Sequence, residues 1–218
     1  MRLLLVASFI LAASVVAAEE NRPVSSPEET ARRQFLQGNF DAALAAVNEA
    51  ETRGEPSAEM LDLKGCIYAE QQKTDEAIAA FDAAYTLKPN GLSRLHLADM
   101  FLRQKRWEEA RAMYGAAMKE TSVLIANERL RYGVFIAALQ LNDEEAARTA
   151  FENLPFPTES AAYYYGQAAW AFAHGSKKDA EKWLRRAEEI YPMKARAWFA
   201  RPLFELGWIK DKPPLVAD

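Results

Sequence analysis

Apolar and small residues along this chain come in paired clusters. From Leu61 to Pro89, Leu61, Gly65 and Tyr68 stand three and four residues apart, and after a polar break Ala77, Phe81 and Ala84 repeat the spacing before Pro89 closes the stretch. That spacing places each set on one face of a helix, so the stretch predicts two short amphipathic helices and a turn. Small residues at Gly65, Ala77 and Ala84 alternate with larger ones at Leu61, Tyr68 and Phe81, which lets the two helices approach closely and interlock.

The same pattern recurs before and after. A first unit carries Ala31, Gly38, Ala43, Val47 and Ala50, and a third carries Ala98, Phe101, Ala110, Tyr114 and Ala117. Ala43, Ala77 and Ala110 thus fall at a period of roughly 34 residues, the length of a stacked helix-pair repeat. The fourth unit, with Ala147, Phe151 and Leu154, is looser. Extra residues around Glu120 to Asn127 predict a longer first helix there, and Asn142 with Glu145 forms a plausible capping pair for its second. The fifth restores the rhythm through Ala168, Ala171, Gly175, Ala180, Leu184, Ala187 and Pro192. The units run over about 28–55, 58–90, 91–121, 122–156 and 158–192.

The order Leu61, Gly65, Tyr68, Ala77, Phe81, Ala84, Pro89 resembles a tetratricopeptide repeat, with Leu in place of the leading Trp and Lys64 where Leu is usual. The resemblance covers roughly Glu28 to Pro192. It implies an all-α, right-handed α-solenoid of about five helix-turn-helix units plus a C-terminal capping helix. One unit alone buries too little apolar area to offset roughly 1 to 2 kcal/mol of backbone entropy per residue, so stacking must supply the missing interfaces. The first helices are then expected to line a concave face, the default binding surface.

Helical spacing selects the side chains on that face. In the second unit these are Glu59, Asp62, Cys66 and Glu70, and in the third Leu92, Leu95, Asp99 and Arg103. In the fourth and fifth they are Tyr132, Ile136, Leu139, Tyr165, Ala169 and Phe172, so the groove starts acidic and ends aromatic and apolar. A partner segment with a basic stretch followed by apolar residues suits both halves. Within the run Tyr163, Tyr164, Tyr165, successive residues are about 100° apart on a helix, so all three cannot face one core, and Tyr165 is the one expected to be exposed. Family members that bind a partner's C-terminal carboxylate use Lys, Arg and Asn on the first helices; Asp62, Cys66 and Asp99 stand here instead, so that ligand is not expected.

After Pro192, residues 193–209 form a capping-helix region, with Ala195 to Arg201 read as a terminal helix over the fifth unit. Pro202 lacks a backbone donor and should stop it. Trp198, Phe204 and Trp208 give this region an aromatic surface, either packed on the fifth unit or forming a terminal partner-binding patch. Residues 210–218, with Pro213 and Pro214, read as an extended, disordered tail.

The first 18 residues, with Arg2, an apolar run from Leu3 to Val16 and the small pair Ala17, Ala18, read as a secretory signal peptide. The run is shorter than the roughly 20 residues of a membrane span, so none is expected after cleavage. Residues 19–27 read as a polar linker, and localisation as periplasmic or secreted. A net charge of −4 argues against a nucleic-acid partner. The single cysteine, Cys66, excludes an internal disulfide.

Chemistry-bearing residues are sparse. His96 pairs only with Asp99 at one-turn spacing, too few ligands for zinc, and His174 stands apart. No metal, cofactor or catalytic residue is expected. The composite reading is an exported, non-enzymatic protein–protein interaction scaffold that binds a peptide or protein segment in its concave groove within a cell-envelope assembly. The alternatives are a self-associating subunit, and hence a homo-oligomer, or an accessory subunit of an enzyme or transport complex.

Overall fold

The computed structural model describes residues 26–54, 57–120, 124–154, 156–157 and 160–215, so the expected signal peptide and most of the linker lie outside the described residues. Among the described residues the structure is entirely helical and forms an α-solenoid. The helices are α1 (Pro27–Leu36), α2 (Phe40–Arg53), α3 (Ala58–Glu70), α4 (Thr74–Leu87), α5 (Gly91–Arg103), α6 (Trp107–Glu120), α7 (Leu124–Gln140), α8 (Glu144–Glu152), α9 (Ala162–Ala173), α10 (Lys177–Ile190) and α11 (Met193–Glu205). They pair as α1/α2, α3/α4, α5/α6, α7/α8 and α9/α10, and each pair packs on the next.

One turn is used inside every pair. The second residue past each first helix has positive φ: Gly38, Gln72, Lys105, Asn142 and Gly175. The next amide bonds back to a carbonyl five residues earlier, as Lys73 N–H does to Tyr68 O at 2.9 Å and Ser176 N–H to Ala171 O at 2.8 Å. These closures satisfy carbonyls that a helix end would otherwise leave bare. Because the same turn recurs at the repeat's spacing, the period of the sequence becomes a period of the structure.

Caps differ from expectation at one place. Asp143, not Asn142, caps α8 by accepting the Ala146 N–H at 3.1 Å, because Asn142 is committed to the left-handed turn. The predicted lengthening of the fourth first helix is present: α7 has 17 residues against 13 in α3 and α5.

Close approach is achieved with glycine where two helices meet. A Cβ on Gly65 would stand 2.5 Å from the Phe81 ring, and one on Gly133 would stand 2.6 Å from the Tyr114 ring. The first contact closes a unit from within; the second joins the third unit to the fourth. The apolar interior is one large cluster from Leu95 to Leu203, with two smaller ones toward the N-terminus around Phe35 and Phe81.

The C-terminal segment departs from the sequence reading. α11 continues through Pro202 to Glu205. It ends in the same turn as the five first helices, with Gly207 at positive φ and Trp208 N–H bonded to Leu203 O at 2.9 Å. α11 is therefore built like the first helix of a sixth unit, with no second helix following it among the described residues. It rests chiefly on α7 and α9, the first helices of the fourth and fifth units, and so lies along the first-helix face instead of capping the end of the array. No helix among the described residues is long and apolar enough to cross a membrane.

Candidate functional site

The first-helix face is already occupied by the chain itself. Phe199, Ala200 and Leu203 on one side of α11 are buried against α7 and α9. The Tyr132 hydroxyl donates to the Phe199 carbonyl at 3.0 Å, and the two rings meet edge to face 5.5 Å apart. Burial pushes the Tyr132 hydroxyl well above its ordinary pKa.

This placement changes the standing of several expected groove residues. Tyr132, Ile136 and Tyr165 are 1%, 0% and 3% exposed, covered by α11 rather than open to a partner. The Tyr165 expectation fails because each of the three tyrosines finds a different cover. Tyr165 lies 6.4 Å from Phe199, Tyr163 packs on Phe151 and Phe156, and Tyr164 packs on Trp183 and Tyr191. Phe172, at the end of α9, is half-buried and stacks on Trp208 at 5.7 Å. Trp198 is half-buried beneath the Arg129 guanidinium, 3.7 Å from the ring centroid, and Phe204 is half-buried. The terminal aromatics and the groove aromatics are thus one contact surface.

The acidic half of the face divides. Glu59 is exposed and pairs with Lys88 at 3.0 Å; its own backbone N–H at the start of α3 and Lys88 hold its carboxyl below the ordinary value. Asp62 is buried between the second and third units, where it accepts the Ser93 hydroxyl at 2.9 Å and stands 3.5 Å from His96 Nδ1. His96 is therefore a buried inter-unit residue on the Phe81 ring, not a surface partner of Asp99. Asp99 accepts from the Tyr114 hydroxyl at 2.6 Å and from Arg129 at 2.9 Å. Burial, and then the Asp99 carboxylate, raise Tyr114 well above its ordinary pKa.

Arg103 links the repeats to the C-terminal segment. Its Nη1 donates to the Ala69 carbonyl at 2.9 Å, and its Nε stands 2.7 Å from the Glu205 carboxylate without hydrogen-bond alignment. Next to Ala69, the Glu70 carboxylate, 7% exposed, meets two cations from that segment: Arg201 Nη1 and Lys212 Nζ, both at 2.9 Å. Arg201 donates a true hydrogen bond, whereas Lys212 approaches the second oxygen off the bonding direction. Glu205 is pushed up to about 7, because burial outweighs the pull of Arg103 and Asp99 adds to it.

The expected disordered tail is instead placed, up to residue 215. Beyond Trp208 it turns back along α11, with Pro213 buried and Leu215 packed on the Phe35 cluster beside Cys66. A cavity of about 80 Å³ remains beneath it, lined by Phe35, Cys66, Glu70, Arg103, Trp198 and Leu215 among others. Sequence reasoning placed Glu70 on this face but missed Arg201, Glu205, Lys212 and Leu215. Arg201 and Glu205, one helical turn apart on a helix ending in a repeat-type turn, were the available signal.

Together, stacked helix pairs and a face that holds a chain segment define a helical-repeat solenoid. The family model described as Tetratricopeptide repeat matches residues 29–91 and again 63–122, which hold the first three helix pairs. The same helix-pair architecture continues in the units that follow. The fold is similar to a tetratricopeptide repeat protein from Parabacteroides merdae ATCC 43184, with a TM-score of 0.57 and 18% identity over 83% of this chain and 72% of that one. It is also similar to the C-terminal part of a TPR repeat-containing protein from Cytophaga hutchinsonii, with a TM-score of 0.55 and 15% identity over 81% of this chain and 70% of that one. At these identities the likeness is one of fold. No curated protein matches the chain in sequence. Tetratricopeptide repeats generally mediate protein–protein interaction.

Proposed function

We propose that this protein is an exported, non-enzymatic interaction scaffold that captures a protein or peptide segment on its first-helix face, as one part of a cell-envelope assembly. The observation that carries the reading is the face itself. It accommodates a helix and an extended tail of the same chain, through apolar packing on α7 and α9 and ion pairs to α3 and α5. A surface that holds one segment in this way has the shape and the charge to hold another. The apolar run Leu3 to Val16 followed by Ala17 and Ala18 supports export.

The test uses the full chain with a photo-crosslinking residue at Leu92 or Glu59, on the expected groove side, or at Lys178, on the second helix of the last pair. Incubated with envelope extract, the Leu92 and Glu59 probes are expected to trap the same proteins, and the Lys178 probe none. Trapping only from Lys178, or from no position, overturns the reading. A reporter that works only outside the cytoplasm, fused after residue 27, should be active; an inactive fusion removes the export claim.

A further inference from the structure

The tail fills its place on the first-helix face poorly. Glu70 is a carboxylate 7% exposed, and both cations that meet it belong to the C-terminal segment. Its second oxygen and Arg103 Nε are buried without a hydrogen bond, and the cavity of about 80 Å³ beside them lies under Leu215. Lys212 remains half exposed, at 53%. Pro213 and Pro214 have no N–H to donate, so the tail has no ladder of backbone hydrogen bonds at those two positions. They also favour an extended course of about 3.1 Å per residue, which carries the chain roughly 9 Å from the Glu70 carboxylate to the apolar slot. Both prolines line a pocket with Ala197 and Ala200 of α11 and with Tyr165 and Leu184 of the repeats, while Lys212 and Leu215 engage Glu70 and the Phe35 cluster directly.

We propose that the space between α1, α3 and α11 is a docking site for an extended partner segment carrying a cation and, three residues later, a large apolar side chain, and that Lys212 to Leu215 is its internal stand-in. The proposal rests on the scaffold reading and names the partner's chemistry. The cation answers the Glu70 carboxylate. The apolar residue enters the slot at Phe35 and Cys66, where the cavity has room for a side chain larger than leucine. The internal segment sets a threshold, because a partner must compete with it for the same carboxylate and slot.

The experiment measures fluorescence anisotropy of a labelled peptide copying residues 208–215, and of its Leu215→Phe version, against the full chain. In wild type the internal tail competes. In the Lys212→Glu/Leu215→Asp variant it does not, so this variant should bind the peptide at least tenfold more tightly, and the Leu215→Phe peptide at least threefold more tightly again. Adding Glu70→Gln should weaken binding at least tenfold, while adding Arg201→Gln, which removes the α11 pair and leaves the Lys212 contact, should change it less than twofold. Equal binding to wild type and the tail variant, insensitivity to Glu70→Gln, or no binding to any variant overturns the site. Peptide binding without crosslinked extract proteins would keep the site and sink the scaffold reading; crosslinked partners without peptide binding would sink the site alone.

Discussion

Glycine is decisive at Gly65 because the Phe81 ring occupies the space a side chain would need. A Cβ there would meet three ring carbons at 2.5, 2.6 and 2.8 Å, inside any real contact. Overpacking of this kind costs roughly 1–3 kcal/mol, of which alanine's better helix propensity returns up to about 1. Gly65→Ala is therefore expected to lower urea-unfolding stability, whereas Gly115→Ala, with nothing within 4 Å, should raise it slightly. Equal stability of the two variants would contradict the packing argument. The chemistry at Glu205 gives a second expectation. Its folded-state pKa near 7 lies above the ordinary value of 4.5, so between those limits the folded protein holds a proton that the unfolded chain has released. The stabilisation is full below about pH 4.5 and is lost as pH rises through about 7. Relative to Glu205→Gln, wild type should gain on the order of 3 kcal/mol between about pH 8 and pH 5, measured by urea unfolding at each. A pH-independent difference would show that Glu205 stays ionised on Arg103.

The repeated turn explains why the helix pairs were legible in the sequence. Gly38 and Gly175 announce it, and Ala43, Ala77, Ala110, Ala147 and Ala180 keep its period. Gln72, Lys105 and Asn142 do the same job in the left-handed region at a cost of about 1–2 kcal/mol for a residue with a Cβ. Lys105→Gly should therefore raise stability, by a few tenths up to about 1 kcal/mol once the greater freedom of the unfolded chain is subtracted. A lower melting temperature would mean that the Lys105 side chain contributes more than the turn costs. The C-terminal helix was less legible for a physical reason. A proline inside a helix removes one donor, and at Pro202 that loss is absorbed because Phe199 and Leu203 on either side of it are fully packed on α7 and α9. Local propensity pointed to a break there, and tertiary packing overrode it. The tyrosine run misled likewise: spacing showed that three side chains point three ways, but not that α8, α10 and α11 would cover each direction.

Across the molecule, repeat period and small-residue contacts set the solenoid, and residues beyond the fifth unit decide what its binding face looks like. Of the side chains read as an acidic-to-apolar gradient, Glu70, Tyr132 and Phe172 meet the chain's own C-terminal segment, with Arg201 and Lys212 on Glu70, Phe199 against Tyr132 and Trp208 on Phe172. Which segment would lie there was not readable, because the contact joins residues more than a hundred positions apart, as in Arg201 to Glu70. Cys66, the single thiol of the sequence, lines the cavity under Leu215 and so reports on this arrangement. In the full chain carrying Leu215→Cys, a short bismaleimide should join residue 215 to Cys66 within one molecule, in high yield and independently of protein concentration. Adding the peptide that copies residues 208–215 in excess should suppress that product. A crosslink that forms only between molecules would mean that the tail is not the occupant of the first-helix face, and one that the peptide leaves untouched would mean that the peptide does not reach the tail's site.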